Sequence, residues 1–87
     1  MSNKQTFISK CIQLTNETET AKKEKLVLEI LNVFTNSEMI YNTPEEFKIT
    51  SLLDMKEILT NYILENGLST KNDINQMCTF QSQLIND

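Results

Sequence analysis

The feature that most constrains this chain is the spacing of its apolar residues. They recur at helical intervals, and no stretch sustains the two-residue alternation of a strand. An all-α domain is therefore expected. Glycine and proline occur once each, as Gly67 and Pro44, and both stand where helices should begin or end. With no repeat, low-complexity tract or Pro/Gly/Ser linker, residues 1–87 read as a single helical domain. A chain of this length buries only about 60–65% of its unfolded surface, so self-association would be a natural source of extra burial.

Four helical segments can be read. The first covers about residues 5–14, with Phe7, Ile8, Cys11 and Ile12 on one face. The second covers about 20–34, with Leu26, Val27, Ile30, Leu31 and Phe34 as its stripe and Thr18 or Thr20 as its cap. Lys22, Lys23 and Lys25 crowd its first turn, where the helix dipole disfavours cations. Glu17 and Glu19 in the preceding turn would answer that charge. Thr43-Pro44-Glu45-Glu46 is the clearest start signal, with Thr43 as N-cap, Pro44 at the first helical position and Glu46 completing a capping box. Ser51-Leu52-Leu53-Asp54 repeats that logic. The third segment is thus either one helix over 44–66 or two, broken near Thr50. Leu52, Met55, Ile58, Leu59, Tyr62 and Ile63 form its apolar face. Gly67 would stop it in the left-handed C′ position, with Leu68 packing back on the last turn. Thr70-Lys71-Asn72-Asp73 is a further capping box, followed by the stripe Ile74, Met77, Cys78, Gln81, Leu84 and Ile85. Short connections favour antiparallel neighbours, so the expected fold is a small four-helix bundle of antiparallel helices, or a five-helix one if the Pro44 helix breaks.

Composition narrows the chemistry. Histidine, arginine and tryptophan are absent. Most acid–base catalysis near neutral pH uses histidine, and most phosphate recognition uses arginine or a glycine-rich loop. Carboxylates are the remaining acid–base candidates. Glu45 and Glu46 fit first-turn dipole partners, while Asp54 and Glu57 share a solvent-facing side of their helix. No nucleophile–base–orienter set can be assembled, so no enzyme activity and no catalytic residue is expected. Cys11 and Cys78 are too few to bind a metal without histidine, and no cofactor site is expected. The two read as buried small hydrophobes, with a redox pair joining the first and last helices as the sharper alternative.

Net charge is -4, and residues 57–87 carry Lys71 alone against Glu57, Glu65, Asp73 and Asp87. That balance disfavours nucleic-acid binding. Eight lysines interrupt any regular carboxylate row, which disfavours DNA mimicry as well. Residues 1–17 lack a secretory pattern, and the longest apolar stretch, 26–34, is too short to span a bilayer. A cytoplasmic protein is expected, with no membrane contact.

Partner binding is left as the leading class. Met39, Ile40 and Tyr41 form an apolar triplet in a connection, which either tucks under the bundle or meets a partner. The last helix offers an amide-rich, charge-poor outer surface of Asn72, Asn75, Gln76 and Gln83, with Phe80 off its main stripe. AT-rich codon usage explains the amides equally well. Leu59-Thr60-Asn61-Tyr62-Ile63-Leu64-Glu65-Asn66-Gly67-Leu68 resembles part of the W-x-Y-I-K-x-N-x-L segment of the SWIB family of small helical peptide-binding domains. Leu59 or Thr60 stands at that family's tryptophan position, so no residue role is carried across. The expectation is a small acidic, non-enzymatic regulator or inhibitor acting by protein–protein contact. Its size and bias toward Asn, Ile, Lys and Thr would suit a phage or other mobile element. Two alternatives stand beside it: a helix-turn-helix-like nucleic-acid-binding regulator using the last two helices, and a structural homo-oligomer such as a homodimer.

Overall fold

A capping box opens the chain. In the computed structural model, which describes residues 2–40, 43–64 and 67–86, the Ser2 hydroxyl accepts from the Gln5 N–H at 3.1 Å. The Gln5 side chain returns the contact to the Ser2 N–H at 3.4 Å. Two orphan amides of the first turn are thereby satisfied, and α1 (Asn3–Asn16) begins earlier than apolar spacing alone placed it. Phe7, Cys11 and Leu14 are its buried residues. Ile12, expected on that face, is instead 53% exposed, because Leu14 holds the inward position one turn further along.

The second helix, α2 (Thr20–Asn36), takes Glu19 as its N-cap residue. Neither Thr18 nor Thr20 caps it. The Glu17 carboxylate accepts from the Thr18 and Glu19 N–H groups at 3.0 and 3.2 Å and organises the turn instead. The lysine crowd is answered locally. Lys22 lies 3.6 Å from Glu19, and the Lys23 ammonium sits 5.2 Å from the centre of the Tyr62 ring. Leu26, Val27, Ile30 and Phe34 are buried, as the spacing predicts.

In α3 (Glu45–Ile63), Pro44 occupies the N-cap position and no side chain caps the helix. The Thr43 hydroxyl is turned toward the Ile40 carbonyl, to which it donates, and it accepts from no amide of the first turn. Glu45 and Glu46 lie in the first turn, where the dipole favours them. The helix runs unbroken through Thr50, whose hydroxyl donates to the Glu46 carbonyl at 2.9 Å. Ser51 is buried inside the helix rather than capping a new one, so the described residues form four helices and not five. Continuity keeps the whole stripe around Met55 and Leu59 in register with the core. The expected stop also differs. Gly67 does not adopt the left-handed conformation. It is needed because a Cβ there would overlap the Asn61 carbonyl oxygen and lie 2.6 Å from its carbon. Its N–H donates to the Leu64 carbonyl at 3.0 Å. Leu68 does not pack back and is 87% exposed. Asn66 lies outside the described residues.

The capping box of α4 (Lys71–Ser82) forms as read: Thr70 Oγ1 accepts from the Asp73 N–H at 3.2 Å, and Asp73 Oδ2 accepts from the Thr70 N–H at 2.6 Å. The helix ends at Ser82, before Leu84 and Ile85, which the spacing had placed on it. Leu84 instead lies in a turn, and Ile85 after it forms an isolated antiparallel bridge with the connection after α2. The Ile40 N–H donates to the Leu84 carbonyl, and the Asn86 N–H to the Glu38 carbonyl, both at 2.8 Å. Met39 and Ile85 are the bridged pair, and Ile85 is buried in the core.

Each helix packs on the next in chain order, and α4 closes the ring onto α1. This is an all-α four-helix bundle. Its centre holds Phe7 against Phe34, with ring centroids 6.1 Å apart, together with Leu14, Ile30, Met55, Leu59 and Ile74. Two polar ties fasten the edges: Lys10 to Glu29 at 2.7 Å between α1 and α2, and Lys48 Nζ to the Ser37 carbonyl at 2.8 Å between α3 and the end of α2.

Candidate partner-binding surface

The outer face of α4 is built by what its inner face must bury. Ile74, Met77, Cys78 and Gln81 point inward, which leaves Asn72, Asn75, Gln76, Thr79 and Phe80 on the outside. Phe80 is 57% exposed. Asn75, Gln76, Phe80 and Gln83 line one shallow hollow along the helix. Gln76 and Phe80 also line a second, deeper groove between α3 and α4.

That groove gathers residues from three places in the chain. Asp54 and Ile58 come from α3, Leu68 from the connection, and Asp73, Gln76, Met77, Phe80 and Gln81 from α4. Its charged residues are Asp54 and Asp73, with no lysine among the lining. Asp73 is committed through Oδ2 to the capping box. At the floor lies Gln81, 95% buried by its 5% exposure, whose Oε1 receives no hydrogen bond among the described residues. A buried acceptor without a donor is costly and uncommon in folded chains.

The other surfaces differ in kind. The groove between α1 and α2 is lined by Lys10, Lys22 and Lys25 and also by Glu17 and Glu29. These charges answer one another. Lys10 holds the Glu29 carboxyl below its ordinary range by hydrogen bonding. The Thr18 and Glu19 amides do the same for Glu17, with help from Lys22 and Lys23. The hollow beside Leu28 is built from α2 alone.

The remaining residues read from the sequence are placed as follows. Met39 is half-buried and packs on the core. Ile40 is half-buried and its amide is bound to Leu84, the residue after Gln83. The tail thus brings the 38–40 connection to the C-terminal end of α4. Tyr41 lies outside the described residues. Asp54, Ile58 and Leu68 were not singled out as site residues, and only tertiary packing brings them to α4. Gln81 was visible as an amide on an apolar stripe.

No group of three or more metal-ligating side chains forms among the described residues. Among them, no helix is long and apolar enough to cross a membrane. No protein-family profile, curated protein or solved structure matches this chain.

Proposed function

We propose that this chain is a small non-enzymatic binding protein, a stoichiometric regulator or inhibitor that engages a protein partner through the α3/α4 groove. The observation that carries this reading is a groove that combines exposed Phe80 and Leu68 with Asp54 and Asp73, beside a Gln81 whose buried Oε1 lacks a donor among the described residues. A polar group kept without a partner at a cost to stability marks a position retained for something other than folding. The partner segment presents a lysine or arginine beside apolar side chains. Its cation meets Asp54 and Asp73, and its apolar groups cover Phe80 and Leu68. Carboxylates without lysine repel a phosphate backbone, so this groove suits a basic protein segment rather than a nucleic acid.

The test is capture of tagged chain from host lysate, with wild type compared to Phe80→Ala, Asp54→Lys and Leu28→Ala, all at exposed positions. A stoichiometric partner recovered with wild type and Leu28→Ala, but lost with Phe80→Ala and Asp54→Lys, supports the reading. Retention by all three variants overturns the groove. Nuclease-sensitive recovery, or recovery of the chain alone, overturns the protein-partner reading in favour of a nucleic-acid-binding or a homo-oligomeric one.

A further inference from the structure

The chain holds two cysteines, and the bundle brings them together. Cys11 stands in the middle of α1 and Cys78 in the middle of α4, 67 positions apart in sequence, and both turn into the core from helices that pack on each other. Both belong to the same apolar cluster, Cys11 at 2% exposure and Cys78 at 9%. No third metal ligand joins them among the described residues, so a shared cation does not account for the pairing.

We propose that Cys11 and Cys78 are a dithiol–disulfide couple, oxidised by exchange with a small aliphatic disulfide such as glutathione disulfide to staple α1 to α4.

The two thiols are not equivalent. The neighbouring Cys78 sulfur and burial together hold the Cys11 proton in place. The same pairing with Cys11 favours the Cys78 thiolate and pulls its titration below the ordinary thiol range. Cys78 is also the more exposed sulfur, so it attacks first. Its thiolate, having released a proton to solvent, forms a bond to one sulfur of glutathione disulfide and breaks the S–S bond. The expelled glutathione thiolate takes up a proton. Cys11 then loses its proton, attacks the Cys78 sulfur of the mixed disulfide and expels the second glutathione. Two protein thiols are oxidised to one disulfide, and one glutathione disulfide is reduced to two thiols. Because both sulfurs are shielded, exchange proceeds through local opening of the α1–α4 contact.

The experiment equilibrates the full chain in glutathione redox buffers and follows intact mass, oligomeric state and thermal melting. The expected product is a monomer lighter by two hydrogens, reversed by dithiothreitol, with a midpoint raised by about 10 °C or more. The Cys11→Ala variant should stop at a glutathione adduct on Cys78. Since that variant could lose its fold, Cys11→Ser provides a second reading, and the wild-type result stands by itself. The proposal is overturned by native thiols that stay reduced in buffers that oxidise the urea-unfolded chain. A disulfide-linked dimer as the oxidised product overturns it too, as does an intramolecular bond that lowers the midpoint.

Discussion

Replacing Gln81 by methionine tests whether the groove holds a true orphan. The side chain is 5% exposed and its Oε1 lacks a donor among the described residues. Leaving a buried acceptor unpaired costs about 1–3 kcal/mol relative to an apolar group of the same shape. Methionine is close to glutamine in length and volume, though it ends in one methyl where the amide forks, so packing changes little. The amide nitrogen is not orphaned in the same way, and its solvation offsets part of the gain. The net expectation is a stabilisation of about 1–2 kcal/mol. For a domain of this size that corresponds to a rise in Tm of about 5–15 °C. Urea denaturation should show a higher midpoint with an unchanged slope, because the surface exposed on unfolding is the same. Capture of the partner by the same variant should fall, since the groove loses its acceptor. A midpoint equal to or below that of wild type refutes the reasoning: Oε1 would then be satisfied in solution, and the main argument for the groove would be gone.

Other perturbations read separate parts of the fold. Thr70→Ala removes the hydroxyl that accepts from the Asp73 N–H, and should cost about 1 kcal/mol in a urea melt. Gly67→Ala places a methyl against the Asn61 carbonyl and should cost about 1–3 kcal/mol, as overpacking against backbone does; a neutral result would show that the connection shifts freely. Glu17 and Glu29 both titrate below their ordinary value of 4.5 in the folded chain. Their contribution to stability is therefore complete above about pH 4.5 and is lost as pH falls through the folded values. Melting midpoints should decline over that acid range, and Lys10→Met should make the decline shallower by removing the partner of Glu29.

The four helices were legible because burial imposes a period on apolar residues, and Thr70-x-x-Asp73 carries its cap in the sequence. The misreadings share one cause: a local motif has competitors the sequence does not display. Thr43 looked like a cap, but the helix starts one residue later with Pro44 as its N-cap, and the Thr43 hydroxyl is turned back to the Ile40 carbonyl. Ser51 looked like a second start, but breaking α3 would have split the stripe around Met55 and Leu59. Leu84 and Ile85 continued the helical spacing, yet Ile85 reaches the core from the turn beyond the helix, because periodicity reports burial rather than helicity. Ser2-x-x-Gln5 was the opposite case, a capping signal present and unread. In the candidate site, Gln76 and Phe80 could be read from the helical wheel, and Gln81 announced itself as a polar residue among apolar ones. Asp54, Ile58 and Leu68 could not, since the groove exists only once α3 and α4 pack.

Both inferences converge on α4, and its composition says why. Asn72, Asp73, Asn75, Thr79 and Ser82 are poor helix formers, so this 12-residue helix depends on its cap and its packing more than on propensity. Gln81 and Ser82 bury polar groups on the face that should hold it in place. Such an element opens at a lower free energy than the global transition. A bond from Cys78 to Cys11 would tie α4 to α1 three residues before Gln81, on the same inward face. In the oxidised chain, hydrogen exchange of the amides of α4 should therefore slow more than that of α2, which carries no cysteine. If Tm rises on oxidation while exchange slows equally in all four helices, the disulfide acts only on the unfolded chain. In that case α4 does not open by itself, and the route by which oxidant reaches the buried pair must be global unfolding.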